Sequence, residues 1–250
     1  MKYITFTTKG SLKLCENFIL STRNVGIEEN VIVYCLDKES QDIIQNKYQC
    51  ETKYFDVSVG DNFHEYGRNE FRRVTEAKIQ IILRELQERE SLIYTDCDVV
   101  FCKDPTGDIL NIDKNLKENN DRDIDIYFAS DSPFMEICTG FMFIKNRKCV
   151  HEMFKKFFEM SYQYGKMGSE CMYDQEITNE ILKENVLDNK IQAAIYPVEF
   201  VKNGHLYWNE PETRTGNEVV VHVNFTIGRE HKISRLKEAN LWYEQQETTL

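Results

Sequence analysis

Residues 92–101 read "LIYTDCDVVF". The two carboxylates set into this apolar run, Asp96 and Asp98, decide how the rest of the chain is read. On an extended strand, residues i and i+2 point to the same face, so at a fraying strand end both side chains reach one point. Two like charges that close repel unless a cation lies between them. A hard divalent ion with oxygen ligands, Mn²⁺ or Mg²⁺, meets that requirement. The other reading of so short a motif is a turn that one aspartate caps. The apolar residues before it and the pair Val99 and Val100 after it favour the metal.

Working outward, residues 70–89, "EFRRVTEAKIQIILRELQER", carry Phe71, Val74, Ile81, Ile82 and Leu86 at helical spacing. This helix runs into a strand at Ser91–Thr95. Upstream, strands are expected at Lys2–Thr8, Val31–Leu36 and Thr52–Val57, with helices at Leu12–Thr22 and Glu39–Lys47. The continuous "VIVYCL" suits a strand buried on both faces. That β-α-β-α-β order argues for an open, largely parallel sheet with helices on both sides. The two aspartates then lie at the C-terminal end of a strand, where open α/β sheets bind ligands. Asp104–Asp125 reads as a polar surface excursion. Ile126–Ala129, Gly140–Ile144, Ile191–Tyr196 and Val219–Val223 read as strands, and Cys149–Tyr164 and Asp174–Leu182 as helices. From Lys232 a helix is expected to end in "NLWYEQQ". No repeat or linker interrupts the chain, so residues 1–250 are expected to form a single domain.

The 250 residues are 41% hydrophobic and carry a net charge of −11. No basic stripe is present, which argues against nucleic-acid binding. Such a chain could handle a phosphate ligand only with a metal ion or a few well-placed Lys and Arg. Among eight cysteines (15, 35, 50, 97, 102, 138, 149 and 171) no CxxC pair occurs, so a zinc ribbon or dithiol site is not expected. Cys35 and Cys97 in apolar runs read as buried free thiols in a reducing compartment. The N-terminus reads as a strand rather than a signal peptide, and no run approaches membrane-span length. A cytoplasmic chain, from a microbial or viral system, is the expectation.

Further candidates lie at other element ends. His222 follows an apolar strand, where a neutral imidazole can complete a metal shell or simply satisfy a backbone carbonyl. Gly228 and Lys232 follow in a loop that could admit and offset a phosphate. Asp131 follows a strand. Asp174 and Gln175 open a helix, where an aspartate usually serves as N-cap. Lys78 lies in the long helix, which by itself reads as surface.

Taken in order, "FRRVTEAKIQIIL", "LIYTDCDVVFCKDP", "FASDS", "CTGFMFIKN", "YDQEITNEIL" and "HVNFTIGREHK" resemble the nucleotide-diphospho-sugar transferase family. These are glycosyltransferases of the GT-A fold, distantly similar to glycogenin-like enzymes. The resemblance covers about Thr5 to Trp242. It implies an α/β/α sandwich with a Rossmann-like, mostly parallel but mixed central sheet. It also implies a nucleotide-binding half at about 1–102 and a sugar- and acceptor-binding half at about 103–250. The implied reaction moves a sugar from a nucleoside-diphosphate donor, UDP by family habit, to an acceptor hydroxyl of a glycan or protein, with retention. Asp98, Asp96 and His222 would hold Mn²⁺, or Mg²⁺, with Asp96 also facing the ribose. Thr7 and Thr8 would lie by the base, Lys78 by the donor sugar or phosphate, Asp131 by the donor sugar hydroxyls, and Asp174 and Gln175 beside the anomeric carbon. Gly228 and Lys232 would face the diphosphate. Two positions depart from the pattern. Cys138 stands where many relatives have asparagine, which puts sugar recognition there in question. The late glycine and lysine lie further from His222 than the HxxGxxK spacing. A metal-dependent nucleotidyltransferase is the rival enzyme reading, but "FTTKGSLK" offers no phosphate loop. A catalytically silent sugar-nucleotide or glycan-binding module is the rival from another class.

Overall fold

Along the first strands, alternate residues enter different cores. Tyr3, Val31, Val33, Cys35 and Ile93 pack on one face of the sheet, and Ile4, Ile32, Tyr34, Leu92 and Tyr94 on the other. This period-two division between two apolar faces makes a three-layer molecule. It is seen in a computed structural model that describes residues 1–57, 69–120, 122–134, 136–168, 172–187 and 190–243.

The strands are β1 (Tyr3–Thr7), β2 (Val31–Cys35), β3 (Glu51–Tyr54), β4 (Ser91–Thr95), β5 (Val99–Phe101), β6 (Ile126–Ser130), β7 (Ile137–Lys145), β8 (Ala193–Ile195), β9 (Val201–Lys202) and β10 (Val220–His222). The helices are α1 (Leu12–Asn24), α2 (Lys38–Lys47), α3 (Asn69–Leu86), α4 (Thr106–Asn120), α5 (Lys148–Lys166), α6 (Asp174–Leu187) and α7 (Arg229–Glu238). The main sheet runs β3-β2-β1-β4-β7-β6-β8. It is parallel except where β7 pairs antiparallel with β4 and β6. Helices α1 and α4 cover one face through Cys15, Phe18, Ile19 and Ile109. Helices α3, α5 and α6 cover the other through Ile79, Ile82, Phe154 and Ile177. The α/β/α sandwich with a mixed, mostly parallel sheet is therefore as expected.

From β1 the chain builds outward through β2 and β3 on one side and through β4 on the other. The strand order thus reverses between β1 and β4, and a crevice opens at their C-terminal ends. A second sheet, β5-β10-β9, stands beside that crevice. Its residues Val100 and Val221, with Val223 just beyond β10, pack with Ile233 and Leu236 of α7 in a third apolar cluster.

Two expectations are corrected. Asp104–Asp125 is not an excursion: residues 106–120 form α4, which buries Ile109 and packs Ile112 and Leu116 against the core. Helical spacing of three apolar residues suffices there despite the surrounding charge. The last helix ends at Glu238 rather than continuing through "NLWYEQQ". Asn240 takes φ 56°, with Asn240 N–H donating to Lys237 O and Leu241 N–H to Leu236 O at 3.1 and 2.8 Å. That pair of hydrogen bonds with a left-handed residue is the Schellman stop. The last residues of that stretch lie outside the described ones. Seven cysteines are free thiols, and Cys171 lies outside the described residues. Among the described residues no helix is long and apolar enough to cross a membrane.

Candidate active site

The segment 96–98 is the link between the two sheets. Asp96 N–H donates to Gly140 O at 2.8 Å, prolonging the β4–β7 ladder, and Val223 N–H donates to Asp98 O at 3.1 Å, prolonging β5–β10. Val99 N–H closes the turn on Asp96 O at 3.3 Å. Both carboxylates are therefore held by backbone pairing on either side, which explains why an apolar run carries them at its break.

His222 ends β10 directly opposite Val99 of β5, so the strand register sets it beside Asp98. Its Nε2 lies 3.2 Å from Asp98 Oδ1, and its Nδ1 lies 3.6 Å from the sulfur of Cys138. Gly140 makes this meeting possible. A Cβ there would stand 2.2 Å from His222 Cε1 and 3.0 Å from Asp96 Oδ2. One ligand atom each from Asp96, Asp98 and His222 lie within 4.8 Å of one another. Burial disfavours a charged His222, but Asp98 outweighs it and raises the imidazole to about 10. Burial likewise opposes ionisation of Asp98, yet Lys232 and His222 hold it well below the usual carboxylate range.

Lys232 reaches Asp98 Oδ2 from the first turn of α7. Gly228 opens that helix at φ 87°, and Lys232 N–H donates to Gly228 O at 3.1 Å. The four-residue separation of Gly228 and Lys232 is thus one helical turn. The extra residues after His222 form the loop 223–227, in which Phe225 takes φ 55°.

On the other wall, Lys78 projects from α3 into the interior and is 3% exposed. Its Nζ lies 2.7 Å from Asp174 Oδ2, 3.2 Å from Thr139 Oγ1 and 3.3 Å from Asp96 Oδ1. Burial works against its charge, but Asp174 and Asp96 raise its pKa above the ordinary lysine value. The surface reading of this lysine is therefore corrected. Thr139 donates to the same Asp174 oxygen at 2.6 Å, and Tyr94 donates to Asp96 Oδ1 at 2.7 Å. The N-cap reading of Asp174 also gives way: Asp174 is the first residue of α6 itself, and its carboxylate is taken by Lys78 and Thr139. Next to this network, Gln175 donates to Asp131 Oδ2 at 2.9 Å. Burial raises the Asp131 carboxyl above its ordinary value.

These groups face one cleft of about 530 Å³. Every predicted residue borders it except Thr7: Thr8, Lys78, Asp96, Asp98, Asp131, Asp174, Gln175, His222, Gly228 and Lys232. Thr7 is buried behind the wall, its hydroxyl 3.0 Å from that of Ser11. Cys97 borders the cleft while also packing against the apolar clusters on both sides. Cys138 touches His222 and the cleft, so its thiol meets the imidazole of the cluster. Sequence reasoning missed Tyr94, Thr139, Gly140, Ser11 and Phe225. Tyr94 had a signal, since it precedes Asp96 by two on the same strand face.

The donor set suits a divalent cation. Two carboxylates and an imidazole are ligands that Mn²⁺ accepts readily and Mg²⁺ through its oxygens. The cluster already gathers positive charge, with Lys232 drawn onto Asp98 and Lys78 lying beside Asp96. Such crowding is what carboxylates this close demand.

Comparison with known proteins bears on the family and the fold. The chain is 25% identical to the UDP-galactose:fucoside alpha-3-galactosyltransferase of Dictyostelium discoideum over 97% of its own length and 43% of the relative's. It is 23% identical to UDP-D-xylose:L-fucose alpha-1,3-D-xylosyltransferase 3 of Arabidopsis thaliana, over 92% of this chain and 63% of that one. The chain thus spans less than two thirds of these curated relatives. Among solved structures, galactosyltransferase LgtC bound to donor and acceptor sugar analogs superposes with TM-score 0.58 at 13% identity, covering 99% of this chain and 98% of that one. The glycosyltransferase GlyE of Streptococcus pneumoniae gives 0.57 at 14%, covering 99% and 66%. These likenesses identify the fold as that of GT-A glycosyltransferases. A family model described as nucleotide-diphospho-sugar transferase matches residues 26–236, and the chain belongs to that family.

Proposed function

We propose that this chain transfers a hexosyl or pentosyl group from a nucleoside-diphosphate sugar to a hydroxyl of a sugar acceptor, with retention at the anomeric carbon. The observation that carries the reading is the convergence of Asp96, Asp98 and His222 with Lys78 and Lys232 in one cleft at the switch point of the sheet. The relatives' names point to UDP as the nucleotide and to a fucose-bearing acceptor.

In this reading Asp96, Asp98 and His222 hold Mn²⁺ or Mg²⁺, which when bound neutralises charge developing on the leaving diphosphate. Residues 1–102 supply most of the nucleotide side, with Phe6, Thr8 and Ser11 along the base and ribose. Lys232 leaves Asp98 to meet a phosphate oxygen, and Gly228 lets the backbone approach that group. Lys78 stays fixed by Asp174 and directs its positive charge at the donor. The anomeric carbon passes through an oxocarbenium-like state. Asp174 and Gln175 border that position, and Asp131 accepts hydrogen bonds from donor sugar hydroxyls. As the bond from C1 to the phosphate oxygen breaks, the bond from C1 to the acceptor oxygen forms on the same face. The acceptor proton passes to the leaving phosphate oxygen, so no side chain need form a covalent intermediate.

The test is a panel of nucleoside diphosphates and their sugars, each with and without Mn²⁺, read by thermal shift and by product analysis. A ligand present at a hundred times its Kd stabilises by about 2.7 kcal/mol, which is readily visible. Metal-dependent stabilisation by a nucleotide sugar and release of its diphosphate are expected. No stabilisation by any of them overturns the reading.

A further inference from the structure

Beside the polar cleft lies an apolar feature that the chemistry above does not use. Phe134 is 63% exposed and Phe225 37%. Their rings stack, with centroids 6.0 Å apart and planes at 23°. Phe225 borders the cleft together with Asp131 and His222. Phe134 closes a turn on Asp131, donating its N–H to Asp131 O at 3.1 Å. The ring pair therefore stands at the mouth, next to the residues that surround the anomeric carbon.

The pair is built rather than incidental. Phe225 is held in the left-handed region at φ 55°, which a bulky side chain rarely adopts and which clusters at ligand sites. Two adjacent residues clamp both supporting loops. Asn203 donates to Ser130 O at 3.2 Å and to Ser132 O at 2.8 Å, while Gly204 N–H donates to Asn224 Oδ1 at 2.6 Å. A Cβ on Gly204 would lie 1.9 Å from Asn224 O, so only glycine admits that approach. Ile227, 74% exposed, extends the apolar surface along the same loop.

We infer that Phe134 and Phe225 form the platform for the acceptor sugar and that the platform selects a 6-deoxyhexose. This rests on the transferase reading above. A pyranose offers one face of C–H groups, which an aromatic surface takes. A 6-deoxy sugar replaces the hydroxymethyl end with a methyl, which makes that end apolar as well. The charged walls around Asp96, Asp98 and Lys232 suit the diphosphate and not this group, so the aromatic mouth is left to the acceptor.

The experiment compares methyl α-L-fucopyranoside with methyl α-L-galactopyranoside, which differ only by O6, using UDP-galactose and UDP-xylose as donors with Mn²⁺. Wild-type protein should favour the fucoside in kcat/KM by about tenfold or more, the scale of discrimination an apolar pocket reaches. Phe134→Ala should raise the fucoside KM about tenfold and bring the preference near one. Phe225→Asn should do the same, since asparagine tolerates the left-handed backbone and keeps the loop. Phe134→Tyr should retain the preference. Binding of UDP with Mn²⁺ by each variant, read by thermal shift, verifies that the donor side is folded. Equal use of the two acceptors by wild type, retained preference in the alanine and asparagine variants, or donor hydrolysis with neither acceptor used would each overturn the platform alone. Absence of both donor binding and donor hydrolysis would overturn the transferase reading, and this inference with it.

Discussion

Gly140 on β7 and His222 on β10 approach so closely that a single methyl on the glycine would stand 2.2 Å from the imidazole Cε1. The two residues belong to different sheets, and their contact is where the sheets meet around Asp96 and Asp98. Gly140→Ala should displace the His222 ring. Overpacking of this kind costs about 1–3 kcal/mol, read as a lower denaturant midpoint with an unchanged slope. The Mn²⁺-dependent part of nucleotide binding should fall further than that loss explains. An alanine variant with intact metal dependence would show that ring placement is not what the glycine protects.

Lys78 and Asp174 share a nearly solvent-free contact at 2.7 Å. Lys78→Met leaves a buried carboxylate without its main partner, which costs about 3–5 kcal/mol. The pair Lys78→Met with Asp174→Leu should recover much of that stability, because no buried charge is then stranded, yet transfer should stay lost. Chemical denaturation of the two single variants and the double variant, alongside turnover, separates the fold role from the chemical one. Restored turnover in the double variant would remove both residues from the reaction.

The acid limb of stability should owe part of its slope to Glu85, far from the cleft. Its carboxylate is 1% exposed, pairs with Lys53 at 2.6 Å and Arg89 at 2.6 Å, and accepts the Tyr34 hydroxyl. Burial works to raise its pKa, but Lys53 and Tyr34, with Arg89, hold it below the ordinary glutamate value. A depressed carboxylate stabilises the fold above its unfolded pKa, about 4.3, and the contribution fades as pH falls through the lower folded value. Glu85→Gln should therefore be less stable than wild type at pH 7, with the gap narrowing below about pH 4.3. A gap that stays constant across that range would contradict the assignment.

The sheet and the carboxylate pair were legible because both rest on short-range pattern. Apolar runs bounded by polar residues marked β2 and β4, and the break in the run at Asp96–Asp98 marked the site. Lys78 was harder. It lies four residues after Val74 and four before Ile82, on the stripe that α3 buries, and that spacing was the signal for a lysine held inside. Helix α4 hid behind its charges, although Ile109, Ile112 and Leu116 keep helical spacing. The stop at Asn240 could not be read, since Leu241 and Trp242 continue the apolar pattern while the backbone reverses. Gly140 and the Phe134–Phe225 pair depend on segments brought together by the fold, and nothing local marks such meetings.

The proposed role of Asp96, Asp98 and His222 is to hold one divalent cation against the donor diphosphate. Its most direct test is a Mn²⁺ titration followed by electron paramagnetic resonance, in which bound ion leaves the free-ion signal, carried out with UDP present. Wild-type protein should bind one Mn²⁺ per chain, and Asp98→Asn and His222→Ala should each weaken that binding by tenfold or more while remaining folded. Binding that survives both substitutions, or none in the wild type, would contradict it.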